Sequence, residues 1–205
     1  MLNVRELECV RGDHSLFSGI NFELKQHEFL HLRGTNGSGK TTLLRALCGL
    51  LAPIHGEILW EGEPINKIRD EYFAHMTFLG HLSGIKGDLS AYENIELFAK
   101  LSGQKIVESR ISDALVTLGL ASRAELPTRV LSQGQKKRVA LARLLVLKRK
   151  LWILDEPFVA LDVDAVALLQ KIISEHVAEG GMVVLTTHQE VEIEAGARQE
   201  LDLSA

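Results

Sequence analysis

The sequence predicts a single α/β domain in which helices cover a mostly parallel sheet. Short apolar runs at 151–154 and 182–186 each follow a segment with helical spacing, at 136–147 and 163–178. Alternation of helix and strand is typical of a parallel sheet with helices on its faces. The length of 205 residues also fits one domain, since domains contain roughly 100–200 residues.

The composition excludes several other classes of protein. Hydrophobic residues make up 46% of the chain and charged residues 24%, with a formal net charge of −4, which excludes a disordered, collagen-like or strongly basic protein. Apolar stretches such as 47–54 are far shorter than the ~20 residues that cross a bilayer, and we expect no signal peptide after Met1. Cys9 and Cys48 lack a CxxC pattern and are expected to be free thiols.

Alternating apolar residues in the first thirty positions predict half-buried strands. A more buried strand is expected at 28–33, before a glycine-rich turn. Five leucines then recur at helical spacing between 41 and 51, and Pro53 is expected to end this helix. Further short strands are predicted at 57–61 and 75–79.

The middle of the chain is predicted to be helical. Ser90 and Glu93 have the spacing of a capping box, in which two side chains satisfy free backbone amides at the start of a helix. This helix is expected to reach about Leu101, and a second helix with an apolar face is expected to end at Gly119. Residues of about 82–127 therefore form a predicted helical subdomain.

The glycine-rich turn has the pattern of a phosphate-binding loop, G-x4-G-K-[ST], between a strand and a helix. Gly37 and Gly39 let the backbone bend around phosphate, the helix N-terminus adds a positive field, and Lys40 neutralises the β- and γ-phosphates. A chance glycine-rich turn is the alternative, which the flanking elements disfavour. The predicted nucleotide-binding residues here are Gly34, Thr35, Asn36, Gly37, Ser38, Gly39, Lys40, Thr41 and Thr42.

Two adjacent carboxylates follow the predicted strand at 151–154. Beside a phosphate loop, Asp155 and the hydroxyl of Thr41 can hold Mg²⁺, while Glu156 can act as the general base toward the attacking water. Acids at the end of a strand often only cap the next turn. Their combination with a phosphate loop favours the catalytic interpretation.

Three further segments point to a family. The segment 131–135, called the signature segment below, lies before a helix predicted to begin near Lys136, and the segments 160–162 and 187–188 follow the carboxylates. With these motifs in this order, the chain resembles the ATPase subunit of ABC (ATP-binding cassette) transporters over nearly its full length. The residues that carry the resemblance in these three segments are Leu131, Ser132, Gln133, Gly134, Gln135, Asp162, Thr187 and His188.

The resemblance implies a P-loop NTPase core of the ABC ATPase type, with an N-terminal antiparallel β portion and an inserted α-helical subdomain. The whole chain, 1–205, would be one ABC ATPase domain. Its nucleotide-binding core would comprise 1–81 and 128–205, and the helical subdomain about 82–127. ATP and Mg²⁺ are the implied cofactors, and ATP hydrolysis is the implied activity.

In ABC ATPases two copies face each other head to tail, so the resemblance implies two shared ATP sites. The Ser132 hydroxyl and the helix N-terminus of one copy would cap ATP on the phosphate loop of the other. His188 would contact the γ-phosphate and position Glu156 and its water. Asp162 would carry information between the two sites.

Finer matches resemble one branch of the family. The segments 78–81, 84–86 and 89–94, together with Gln133, are similar to the cytochrome c maturation ATPases, which energise a haem-export or haem-chaperone-release complex. This similarity implies integral membrane permease subunits as partners and a peripheral location on the cytoplasmic face of the inner (plasma) membrane. Contact with haem would be indirect, and no direct nucleic-acid partner is expected.

Three other functions stay open at this stage. An ABC ATPase that acts on nucleic acid or ribosomes typically carries a long insertion or a second cassette, for which 205 residues leave no room. The chain could also serve an ABC transporter with a different substrate, or bind nucleotide without turnover. Glu156 argues against the last of these.

The chain departs from the family pattern at two places. No aromatic residue stands at 10–12, where the family places a ring against adenine. The Arg11 guanidinium or Phe17 could stack on the base instead, or the protein could make few contacts with the base. His81 stands where the family has a Gln that contacts Mg²⁺ and the attacking water. A neutral imidazole can replace that amide catalytically, or His81 can simply pack in its loop.

A basic run between 136 and 150 contains seven cations and no acid. Such a run can bind nucleic acid or lipid headgroups. It is more typical of the solvated face of a helix, which is the interpretation that we favour.

Overall fold

The computed structural model describes residues 1–12, 14–104, 107–189 and 191–204. Within these ranges the chain forms two sheets and a set of helices. In chain order the elements are β1 (Leu2–Arg11), β2 (His14–Leu24), β3 (Glu28–Arg33), α1 (Lys40–Leu47), β4 (His55–Trp60), β5 (Glu63–Pro64), α2 (Arg69–His75), β6 (Met76–Leu79), α3 (Ala91–Leu101), α4 (Glu108–Thr117), α5 (Gln133–Leu147), β7 (Leu151–Asp155), α6 (Val163–Ala178), β8 (Met182–Thr186) and β9 (Ala197–Asp202).

The N-terminal sheet is antiparallel, with strand order β2-β1-β4-β5. Its central strand β1 buries Leu2, Val4, Leu7 and Cys9, because alternate side chains of a strand point to the same face. Irregular pairing between Val4 and Leu7 shifts the register. The predicted N-terminal antiparallel β portion is confirmed.

The second sheet is parallel, with strand order β6-β7-β8-β3-β9. Alternate residues of β7 enter two different cores. Leu151 and Ile153 pack in the cluster that contains α1 and the antiparallel sheet, whereas Trp152 and Leu154 pack in the cluster that contains α5 and α6. The sheet is therefore buried on both faces, as the apolar runs predict, and the α/β fold class is confirmed.

The helices α3 and α4 pack against α5 and share its apolar cluster. The predicted capping box is present: the Glu93 amide donates to Ser90 Oγ at 3.1 Å and the Ser90 amide donates to Glu93 Oε2 at 2.7 Å. Gly119 stands just after α4 with φ 67°, as predicted for a helix stop. In the described parts of the chain, no helix combines the length and the apolar character needed to span a membrane.

Several predicted boundaries are wrong. Helix α1 ends at Leu47 and not at 51, because Gly49 takes a left-handed backbone with φ 64° and its amide donates to the Ala46 carbonyl. Helix α5 begins at Gln133 and not near Lys136, because the signature segment forms its first turn. Strands β5 and β9 and helix α2 are absent from the prediction. Strand β9 gives no apolar pattern because it lies at a sheet edge and most of its side chains are exposed.

Parallel pairing brings the carboxyl ends of four strands to one edge of the second sheet. Asp155 at the end of β7 pairs with Thr186 at the end of β8, which in turn pairs with Leu32 of β3, and Leu79 of β6 pairs with Leu154. The loops that follow these strands carry the predicted site residues. Ligands of open α/β sheets bind at this edge.

Candidate active site

The predicted phosphate loop joins β3 to α1. Gly39 precedes the helix with φ 98°, and a Cβ atom added there would lie 2.9 Å from the ring of Phe17. Glycine is therefore required for both its backbone conformation and its contact with β2. The Leu43 amide donates to the Gly39 carbonyl at 2.8 Å, so the helix begins directly at the loop.

The loop presents positive charge. The Lys40 ammonium donates to the carbonyls of Gly34 at 2.7 Å and Thr35 at 3.1 Å, which holds it across the loop. Among the described residues no side chain caps α1, and its first turn contains no acidic residue. The first amides of the helix are thus available to an anion.

The Asp155 carboxylate joins the loop to the end of β8. Asp155 is only 4% exposed. Its Oδ2 accepts from the Thr41 hydroxyl at 3.1 Å, and its Oδ1 accepts from the Thr186 hydroxyl at 2.9 Å. The two oxygen groups predicted to hold Mg²⁺ are therefore neighbours.

Glu156 faces a different part of the site. Its backbone is left-handed with φ 49°, and its amide donates to Thr186 Oγ1 at 3.0 Å. Its side chain is 16% exposed, and Oε1 lies 3.5 Å from His188 Nε2. In the described ranges this oxygen has no hydrogen-bond partner. The His188 imidazole lies near it without forming a hydrogen bond. The predicted pair of Glu156 and His188 is thus brought together.

The signature segment forms the start of α5. Ser132 is the N-cap, with its hydroxyl accepting from the Gln135 amide at 3.2 Å, while Gln135 Oε1 accepts from the Ser132 amide at 3.0 Å. The hydroxyl proton of Ser132 remains available for donation. Leu131 is buried, whereas Ser132 and Gln133 are exposed. No hydrogen bond or ion pair between described residues joins this segment to the phosphate loop of its own chain.

Asp162 is the N-cap of α6. It accepts from the Ala165 amide at 2.9 Å. Arg138 of α5 also donates to both of its carboxylate oxygens, at 2.7 and 2.6 Å. The segment 156–162 is therefore attached to the helix that carries the signature segment.

The residues at the two departures from the family pattern lie outside these networks. His81 is exposed two residues after β6, and Arg11 is exposed at the end of β1. Neither side chain makes a hydrogen bond or ion pair with another described residue. Phe17 is 7% exposed and packs beneath Gly39, which leaves it no free face for adenine. The alternative in which Phe17 stacks on adenine is therefore wrong.

The interpretation of the basic run as a solvated face is wrong for Arg143 and Arg149, whereas Lys148 and Lys150 are exposed. Arg143 is 7% exposed, lies 3.2 Å above the centre of the Phe98 ring and donates to the Ser83 carbonyl at 2.6 Å. Burial lowers the pKa of Arg143 to about 9. Arg149 is likewise buried and donates to the carbonyls of Ala74 and Ser102. These cations connect helices and loops inside the protein.

Sequence reasoning missed two residues of the site, Thr186 and Lys137. Thr186 makes hydrogen bonds to both Asp155 and Glu156, as described above. Lys137 donates from Nζ to the Glu156 carbonyl at 3.0 Å. A signal for Thr186 was present, because it ends a predicted strand and directly precedes Thr187 and His188. Lys137 was hidden in the basic run.

The fold and this site define an ATP-binding protein of the ABC type. Residues 17–159 match the ABC transporter family. A solved structure described as the ATP-binding subunit of an ABC transporter covers 91% of this chain and 79% of its own, with a TM-score of 0.84 and 27% identity. A putative ABC transporter ATP-binding protein from Pyrococcus furiosus covers 98% and 96%, with a TM-score of 0.85 and 29% identity. The chain belongs to the ABC transporter family and is an ATPase of that class.

Curated relatives lie in one branch of this family. The chain is 52% identical to the cytochrome c biogenesis ATP-binding export protein CcmA of Nitrosospira multiformis over 97% of both chains. It is 56% identical to the protein of the same name from Nitrosomonas europaea, over 93% of this chain and 90% of the relative. The predicted resemblance to cytochrome c maturation ATPases is confirmed.

Proposed function

We propose that this protein hydrolyses MgATP to power a membrane complex that exports haem, or releases haem from its chaperone complex, during c-type cytochrome biogenesis. The observation that carries the ATPase part is the meeting of the phosphate loop, the Asp155 carboxylate and the pair of Glu156 and His188 at one sheet edge. The names of the relatives support the biological role.

The donor set beside the phosphate loop suits Mg²⁺. This ion prefers oxygen ligands and usually combines one or two carboxylates with substrate phosphates. Thr41 and Asp155 present a hydroxyl and a carboxylate side by side, so they would hold it. When bound, the ion supplies positive charge to the phosphate oxygens.

Glu156 is the proposed general base. Its carboxylate takes a proton from water as the water oxygen bonds to the γ-phosphorus and the bond from phosphorus to the β-γ bridging oxygen breaks, giving ADP and phosphate. Burial and the absence of a hydrogen-bond partner for Oε1 among the described residues leave that oxygen free to accept. His188, with a side chain that is 59% exposed, would contact the γ-phosphate and orient the carboxylate.

The proposed ATP sites are shared between two copies of the chain. The exposed start of α5 has amide donors, the Ser132 hydroxyl and no acidic residue in its first described turn, which suits a triphosphate. In the described residues the signature segment makes no polar contact with its own phosphate loop. The triphosphate that it contacts would therefore be bound on the phosphate loop of a second copy. The head-to-tail dimer thus closes around ATP, with Asp162 between the sites.

Integral membrane permease subunits are the proposed partners, and the protein would sit peripherally on the cytoplasmic face of the inner membrane. The relatives are named export proteins, and export needs a path through the bilayer. Haem would be handled by those subunits. We also propose that 82–127 acts as the helical subdomain that meets them, with 1–81 and 128–205 as the nucleotide-binding core.

A complementation experiment tests the proposal. A host whose only copy carries Lys40→Ala should lose covalent c-type cytochromes, seen by haem staining, while b-type cytochromes remain. Lys171→Ala on the exposed face of α6 is the matched control and should preserve both. Normal c-type cytochrome levels with a Lys40→Ala protein that has no ATPase activity would contradict the proposed role.

A further inference from the structure

Lys137 lies in the second turn of α5, close to the catalytic loop of the same chain. Its ammonium donates to the Glu156 carbonyl at 3.0 Å. Burial lowers the pKa of Lys137, while the nearby carboxylates of Asp155 and Glu156 oppose that shift. The lysine is therefore a partly desolvated cation beside both acids, although its hydrogen bond goes to backbone.

The backbone of Glu156 needs such contacts. A left-handed conformation is unfavourable for a residue with a side chain, and Glu156 has φ 49°. Its amide is held by Thr186 of β8 and its carbonyl by Lys137 of α5. Together these bonds fix both peptide groups of Glu156, and hence the direction in which its side chain leaves the loop.

The same helix touches the rest of the 156–162 segment. Arg138 binds Asp162 through two hydrogen bonds, and a Cβ atom added at Gly134 would lie 2.9 Å from the Ala160 carbonyl oxygen. The start of α5 and the catalytic loop are therefore packed as one unit. A displacement of the helix start would displace the loop with it.

We propose that Lys137 is a positioning residue that aims the Glu156 carboxylate at the attacking water. Lys137 belongs to the helix whose first turn would cap ATP on the partner copy. Binding of that ATP would therefore help to position Glu156 in the other ATP site. This inference rests on the proposed shared-site ATPase.

The test compares Lys137→Met with Lys137→Gln in the complex purified with its membrane subunits. Met keeps the length of the side chain but removes the donor, and we expect kcat to fall about tenfold or more, with KM for ATP within about twofold of the parent value. Gln keeps an N–H donor and should recover most of the rate. Lys150→Met is the matched control, since Lys150 is exposed, lies outside α5 and makes no side-chain hydrogen bond or ion pair to another described residue.

A second measurement separates positioning from general damage. In the Glu156→Gln background, Lys137→Met should still give the ATP-dependent dimer by light scattering, because the signature segment is still presented. A kcat of Lys137→Met that equals the parent value would overturn the inference. Loss of both kcat and dimer formation in both Lys137 variants would also overturn it. A parent complex without ATP hydrolysis would instead overturn the proposed function itself.

Discussion

The hydroxyl of Thr186 donates to Asp155 Oδ1 at 2.9 Å. The same hydroxyl oxygen accepts the amide proton of Glu156 at 3.0 Å. One fully buried side chain of β8 therefore fixes both the carboxylate next to the phosphate loop and the backbone of the proposed base. The two acids occupy adjacent positions, yet this contact gives them separate environments.

Replacing Thr186 should affect stability and catalysis together. Thr186→Val leaves an Asp155 oxygen and the Glu156 amide without a partner, so we expect a loss of about 1–3 kcal/mol in the free energy of unfolding and a lower kcat. Urea unfolding and phosphate release measure these effects. Thr186→Ser keeps the hydroxyl and should stay close to the parent. A Val variant as stable and active as the parent would show that the hydroxyl is dispensable.

Removing the proposed base should separate binding from hydrolysis. Glu156→Gln keeps the phosphate contacts but cannot take the proton of water, so hydrolysis should fall by about 10²–10⁴-fold while an ATP-bound dimer accumulates. Phosphate release and light scattering report the two effects. Glu179→Gln, on the exposed end of α6, serves as the control. Undiminished hydrolysis in Glu156→Gln would remove Glu156 from the role of base.

Mixing two defective variants tests whether the sites are shared. Lys40→Ala damages the phosphate loop, and Ser132→Arg damages the signature segment. In a mixed dimer with shared sites, one site carries both defects and the other is intact, so some ATP-dependent closure should return. Light scattering of each variant alone and of the mixture measures closure. A mixture that shows no ATP-dependent closure would favour ATP sites that are built within one chain.

His81 offers a test of the departure from the family pattern. If its imidazole replaces the usual Gln amide as an acceptor, His81→Ala removes that acceptor and should lower kcat. His81→Gln supplies an amide and should stay close to the parent. Phosphate release by both variants and the parent gives the comparison. Equal kcat in all three proteins would exclude His81 from the mechanism.

His176 should make the fold sensitive to acid. Its ring stacks on Trp152 with the centroids 3.6 Å apart, and burial lowers its pKa to about 4. Because the unfolded chain takes up a proton near its ordinary pKa of 6.5 and the folded chain resists it, stability falls as the pH drops from about 6.5 to about 4.

Urea unfolding at pH 7 and pH 5 measures this effect. The contribution of His176 amounts to about 2 kcal/mol lost at pH 5. His176→Gln, which does not titrate, should lose less stability over the same interval, even if it is less stable at pH 7. An equal loss in both proteins would assign the acid sensitivity to other groups.

The sequence by itself determined the features that depend on neighbours in the chain. Strand β8 and helix α6 have the predicted bounds, because periodic burial leaves a periodic pattern of apolar residues. The capping box of Ser90 and Glu93 and the phosphate loop are also local, since spacing and backbone conformation define them. The order of these motifs along the chain was enough to identify the family.

Only the tertiary structure decided the features that depend on contacts between distant segments. Arg143 and Lys137 resemble solvated cations in the sequence, and their burial follows from the packing of α5 against loops far away in the chain. Strand β9 has no apolar run because it pairs at an edge. Thr186 becomes a site residue through its pairing with β7. Periodicity reports which face of an element is buried, whereas the partner on that face is set when the elements pack together.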